Sequence, residues 1–331
     1  MKVLITGGAG FIGSHLAEYL CSKKDISKII ILDNLEDGSL KNLKNCINNI
    51  KIKFYKKDIT NFKEINNNFK KVNIVIHLAA LSDVVPSIEE PKLYMENNIN
   101  GTINVLESMR KWKVNKIIYA ASSSCYGIPK KYPTVETEEI DARYPYAVSK
   151  LIAEQIIQYW NKIYNINYVS LRLFNVYGIR SRTNSAYGAA LGVFIRQKLA
   201  NKPFTVIGTG NQKRDFIYVS DVCDAFYKSI KSTRANNNIF NIGRGKARSV
   251  NEMIKILEGP KIYIPKRPGE PDMTLANISK AIKILKWEPK INLEEGLAKV
   301  IKEKNYWKNA PLWTVNKIQQ ATKNWFKYLK K

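Results

Sequence analysis

Tyr146 and Lys150 stand four residues apart in Tyr-Pro-Tyr-Ala-Val-Ser-Lys, a spacing that puts both side chains on one face of a helix. A phenol ionises near pH 10, and a neighbouring ammonium stabilises its phenolate, so the pair suits removal of a proton from an alcohol. The chain also opens with Thr6-Gly7-Gly8-Ala9-Gly10-Phe11-Ile12-Gly13, between an apolar run and a helical pattern. Glycines at Gly7, Gly10 and Gly13 permit a tight turn and let a pyrophosphate approach the helix N-terminus, where unpaired amides favour negative charge. Asp33 ends the next apolar run, Ile-Ile-Ile-Leu-Asp. A carboxylate there accepts from adenosine ribose hydroxyls and repels a 2′-phosphate, so NAD is expected rather than NADP. Asn34 is expected beside it. Asp58-Ile59 would meet the adenine edge, although Asp58 before Thr60-Asn61 also reads as a helix cap.

These residues need a frame. Short β-branched runs near 2–6, 28–33, 51–56, 73–78 and 116–122 alternate with amphipathic stretches, and another run follows at 167–174. This alternation predicts an α/β fold: a doubly wound parallel sheet with helices on both faces, and ligands beyond the carboxyl ends of the strands. From about residue 175 the rhythm loosens into shorter strands separated by Gly and Pro. The expected division is a Rossmann domain over 1–175, rejoined by 214–245, and a smaller mixed α/β lobe over 176–331 that binds substrate. The aromatic, lysine-rich tail contains Trp307, Trp313, Trp325, Phe326 and Tyr328. It reads as an apolar face docked on the protein's own body rather than on a membrane.

Composition narrows the function. The 331 residues are 45% hydrophobic and 25% charged, and no apolar run reaches the roughly 20 residues that span a bilayer. With no signal-peptide pattern after Met1, a cytoplasmic protein is expected. Cys21, Cys46, Cys125 and Cys223 form no Cys-x-x-Cys pair, and His15 and His77 are the only histidines, so neither a metal site nor a histidine triad is expected. The formal charge of +26 would attract phosphates. Because the lysines are scattered and form no arginine-rich block, small phosphate-bearing ligands are expected and specific nucleic-acid binding is not.

Further motifs follow in order: His77-Leu78-Ala79-Ala80, Ser122-Ser123-Ser124-Cys125-Tyr126-Gly127, Asn175-Val176-Tyr177-Gly178, Arg214-Asp215-Phe216 and Arg267-Pro268-Gly269-Glu270. With Thr6 to Gly13, Asp33 and Tyr146 to Lys150, they make nearly the whole chain resemble the extended short-chain dehydrogenase/reductase family. The match is closest to NAD-dependent nucleotide-sugar epimerases of the UDP-GlcNAc and UDP-GlcA type. The resemblance implies that Tyr146 is the base, that Lys150 lowers its pKa and binds the nicotinamide ribose, and that Ser122 hydrogen-bonds the reacting oxygen. It implies cofactor contacts from Leu78, Ala79, Ala80 and Asn98. It implies substrate contacts from Ser82, Ser123, Ser124, Asn175, Arg214, Arg267 and Glu270, with Thr274 at a gate beside the sugar. Arg180 and Arg182 could alternatively meet a sugar carboxylate.

Related dehydratases carry Asp-Glu after the catalytic serine, whereas this chain has Ser123 and Ser124, which favours 4-epimerization of a UDP-hexose. The resemblance leaves 4,6-dehydration, 5-epimerization and C4 oxidation as alternatives. A non-catalytic RNA-binding protein on the same fold is the contrasting class. Cys125 reads as a packed thiol. By the same resemblance the protein is a homodimer, joined through helices near 91–112 and 144–165.

Overall fold

The computed structural model describes residues 1–182 and 190–329. Its main sheet contains β1 (Lys2–Thr6), β2 (Lys28–Asp33), β3 (Ile52–Lys56), β4 (Ile74–His77), β5 (Lys116–Ser122) and β6 (Asn167–Leu173), with three further strands before the seventh member. Those three are β7 (Asn175–Tyr177), β8 (Phe204–Ile207) and β9 (Lys213–Tyr218), and the seventh member is β10 (Asn238–Ile242). The sheet runs β10-β6-β5-β4-β1-β2-β3, all parallel. This is the doubly wound parallel sheet expected from the alternating pattern. β11 (Ala247–Ser249) and β12 (Lys261–Ile264) complete the strands: β11-β9-β7 form a mixed three-stranded sheet, and β12 pairs with β8.

The central strands are apolar at nearly every position because helices cover both faces. Along β1, Val3 and Ile5 turn to one core with Leu16 and Leu20 of the helix Phe11–Cys21 and Val222 and Phe226 of the helix Val219–Lys231. Leu4 turns to the other, with Val105 and Leu106 of the helix Gly101–Lys111 and Ala153 and Ile157 of the helix Pro145–Tyr164. The strand period of two thus assigns alternate residues to opposite layers.

β1 and β4 are neighbours although three strand numbers apart, so the winding reverses between them, and a crevice opens at their carboxyl ends. The Gly7–Gly13 turn leaves β1 at that point. The tail docks: Trp307 and Trp325 are fully buried, and their indole N–H groups donate to the carbonyls of Ser181 and Pro268. Among the described residues no helix is long and apolar enough to cross a membrane.

Candidate active site

A cavity of about 350 Å³ occupies the crevice. Gly7, Gly10, Phe11, Ile12, Gly13, Asp33, Asn34, Ile59, Leu78, Ala79, Ala80, Ser82, Ser122, Tyr146 and Lys150 all line it. Two glycines are sterically required there. Gly7 has φ +71, and a Cβ on it would lie 2.6 Å from Ala79 N; one on Gly13 would lie 2.1 Å from Gly7 O. The first helical turn carries no acidic side chain, so its amides face the cavity without a competing anion. Asp33 Oδ2 accepts from Ala9 N at 2.9 Å and Oδ1 from Leu35 N at 2.8 Å. Burial raises its pKa, while the amides of Leu35, Ala9 and Gly10 oppose the rise. The remaining lone pairs are available to a ligand.

Several expected contacts lie elsewhere. Asp58 does not line the cavity: its carboxylate accepts from Asn34 Nδ2 at 2.9 Å and from Thr60 N and Oγ1 at 2.8 and 2.7 Å. It therefore steers Asn34, which does. Asn98 is buried and committed to protein groups, accepting from Leu81 N at 2.8 Å and donating to Leu81 O at 3.0 Å and Ser149 Oγ at 2.9 Å. It ties the loop after β4 to the Tyr146 helix, while its neighbour Asn97 lines the cavity. Asn98 sits in a π-helical turn, Glu96–Asn100, whose extra residue rotates the face that a regular helix would present. That rotation is invisible to a reading by spacing.

Tyr146 and Lys150 share one helical face as expected, but their electrostatics differ from the expectation. Burial raises the Tyr146 phenol above its ordinary value, with the Ser122 hydroxyl pulling it down and Asp83 adding to the rise. Burial lowers Lys150 to about 7, against the pull of Glu154. Its Nζ lies 4.2 Å from the Tyr119 ring centroid. The protein's own groups therefore do not lower the Tyr146 pKa, because desolvation outweighs the Ser122 hydrogen bond.

Ser122 ends β5 and caps the short turn Ser123–Tyr126. Ser123 and Ser124 do not line the cavity; Ser124 instead donates its hydroxyl to Ser122 Oγ at 2.8 Å. Cys125 is buried beside Tyr126 and Phe174, with its thiol pushed up to about 12 by burial, which is a packed thiol. Arg180 donates to Glu18 at 2.7 Å, and a sugar carboxylate would have to displace that partner. Arg182 lines the cavity and pairs with Asp37. Residues 183–188 of the same loop lie outside the described residues.

A second cavity, about 210 Å³, adjoins the first, since Val176 lines both. Asn175, Arg214, Arg267 and Glu270 line it. Glu270 pairs with both guanidiniums, at 3.7 Å to Arg214 and 3.3 Å to Arg267. Thr274 does not line it; its hydroxyl donates to Asn175 Oδ1 at 2.9 Å and accepts from Asp215 N at 3.1 Å. Sequence reasoning missed Asp215 itself. Fully buried, it accepts from the amides of Arg244, Gly245 and Ala276, and burial pushes its pKa up to about 6. It joins two loops beneath the second cavity. The signal was its place between Arg214 and Phe216 in a quoted motif.

A model of the NAD dependent epimerase/dehydratase family matches residues 3–243. The chain belongs to this family. A putative UDP-glucose 4-epimerase of Methanocaldococcus jannaschii is 40% identical, covering 93% of this chain and 98% of the relative. A UDP-glucuronic acid 4-epimerase from Bacillus cereus, solved with UDP-glucuronic acid and NAD, superposes with a TM-score of 0.86 at 32% identity, over 93% of this chain and 99% of that one. A UDP-N-acetylglucosamine 4-epimerase from Methanobrevibacter ruminantium, in complex with UDP-N-acetylmuramic acid, gives 0.85 at 33%, over 91% and 97%. The enzyme is thus an NAD-dependent epimerase of this family. The first cavity fits the cofactor: Gly7 and Gly13 leave room that a Cβ would fill, the first turn is free of acid, and Asp33 presents a carboxylate.

Proposed function

We propose that the enzyme inverts C4 of a UDP-linked hexose. The observation that carries this reading is a first cavity faced by Ser122, Tyr146 and Lys150, with hydroxyls rather than a carboxylate pair at Ser123 and Ser124. Tyr146 takes the proton from the 4-hydroxyl and later returns it, and Ser122 donates a hydrogen bond to the same oxygen. Gly7 to Gly13 hold the pyrophosphate of NAD, Asp33 holds its adenosine ribose, and Lys150 holds its nicotinamide ribose. When bound, NAD accepts a hydride from C4 and gives it back to the opposite face. Because Tyr146 is buried with a raised pKa, its deprotonation needs positive charge beyond what the bare site supplies.

Arg214, Arg267 and Asn175 hold the nucleotide diphosphate in the second cavity, where guanidinium forks suit phosphate and Glu270 keeps them in place. The reading further takes the enzyme as a cytoplasmic homodimer, joined through the 91–111 and 145–164 helices. It divides the chain into a cofactor domain, 1–175 with 214–245, and a substrate lobe formed from most of 176–331.

The test is incubation with UDP-GlcNAc, UDP-Glc and UDP-GlcA, followed by proton NMR. The C4 epimer of at least one should form with no net NADH. A product lighter by one water, or no conversion of any of the three, would reject the reading.

A further inference from the structure

The family match ends at residue 243, yet the tail reaches the second cavity and an apolar cluster against which Tyr146 packs. Arg196 Nε holds the Ala310 carbonyl at 2.9 Å, and Gln197 Nε2 holds that of Trp313 at 2.8 Å. Two short helices follow, Val315–Ala321 and Lys323–Tyr328. At seven and six residues they are too short to persist alone, so their helicity depends on what they cover. Ile318, on the first, is buried and forms part of the wall of the second cavity. Trp325, on the second, is 0% exposed and packs with Val84 and Val85, a cluster against which Tyr146 also packs. Its ring centroid is 5.9 Å from that of Tyr144. Its indole N–H bonds Pro268 O at 2.8 Å, between Arg267 and Glu270 of the second cavity. One tail therefore spans from the nucleotide end of the site to the face of the tyrosine.

We propose that residues 310–329 form a lid over the nucleotide-sugar site, which opens to admit substrate and, once closed, retains the oxidised sugar until it is reduced again. This rests on the epimerase reading. Oxidation moves a hydride from C4 to NAD and the hydroxyl proton to Tyr146. A ketone that escapes leaves the enzyme with NADH and no partner to reoxidise it, so a reaction that takes a hydride and returns it needs a seal that a one-way oxidation does not. The lid is closed by apolar packing of Trp325 and Ile318 together with the indole bond to Pro268.

Two measurements test it. Limited trypsin digestion of the wild-type enzyme should cut after Lys317, Lys323 and Lys327, and UDP alone should slow those cuts several-fold while leaving cuts elsewhere unchanged. Trp325→Ala should accumulate reduced-nicotinamide absorbance during turnover and inactivate in step with it, with free keto sugar trappable by hydroxylamine, while Tyr328→Ala, at a 54% exposed position, should behave as wild type. If Trp325→Ala fails to fold, Ile318→Ala serves for the leakage assay, and the digestion needs no variant. Cuts indifferent to UDP, or variants that turn over without reduced cofactor building up, overturn the lid. Failure of wild type to invert any UDP-sugar would reject the epimerase reading instead, and UDP protection would still report on the lid.

Discussion

Ser124 donates its hydroxyl to Ser122 Oγ at 2.8 Å, and the Ser124 amide points at the same oxygen at 3.2 Å. A hydroxyl has two lone pairs and one proton. With both lone pairs engaged, the Ser122 proton is the group left to aim into the cavity, so the serine run fixes Ser122 as a donor. Ser122→Ala should lower kcat about 10²-fold or more with NAD still bound, the scale of one lost donor at a reacting oxygen. Ser124→Ala should cost only about tenfold, because it removes an orienting bond rather than the donor. Equal losses in the two variants, from steady-state kinetics, would contradict this.

Tyr146→Phe should abolish turnover while NAD still co-purifies. In the wild type only the phenolate accepts the proton, and burial raises the phenol's pKa. Hence kcat/KM should climb with pH through neutral and mildly alkaline values. A profile that falls over that range would remove Tyr146 from the role of base.

Much of this was legible in the chain. β-branched runs bounded by glycine located the parallel strands to within a residue or so, because strands buried on both faces must be apolar throughout. Residue spacing also brought the glycine turn, Asp33, Tyr146 and Lys150 toward one crevice, and the family resemblance added Ser122. What spacing did not carry was side-chain direction. Asn98 turns into the protein because a π-turn shifts its register, and Ser123 and Ser124 curl away in the turn that Ser122 caps. Nor could charge counting anticipate that burial would raise the Tyr146 phenol, because desolvation is a property of the fold.

His77 should make the protein acid-sensitive. Its ring bonds Thr6 Oγ1 at 2.7 Å and Thr102 Oγ1 at 2.9 Å, and burial, with Lys150 nearby, lowers its pKa to about 3. The unfolded chain binds this proton near pH 6.5 and the folded one does not. Stability from this group is therefore full above that pH and is lost as pH falls toward 3, by about 3 kcal/mol at pH 4. Urea titrations from pH 8 to pH 4 should show the decline, and His77→Gln should flatten it.

Glu154 and Arg172 form a buried pair at 2.6 Å, with Ser170 on the carboxylate and Tyr126 on the guanidinium. The pair braces the helix of Tyr146 against the Ser122 turn. Arg172→Met leaves an unpaired buried carboxylate and should cost roughly 3–5 kcal/mol. Arg172→Met with Glu154→Leu should recover part of that in chemical denaturation; a double variant weaker than the single would contradict it.

The central claim is that one hydride leaves C4 and returns to it. The direct measurement is turnover of a UDP-hexose deuterated at C4, with the product read by proton NMR and mass. The account predicts the C4 epimer with deuterium retained at C4 and unchanged mass. Deuterium lost to solvent or moved to C6 with loss of water would contradict it.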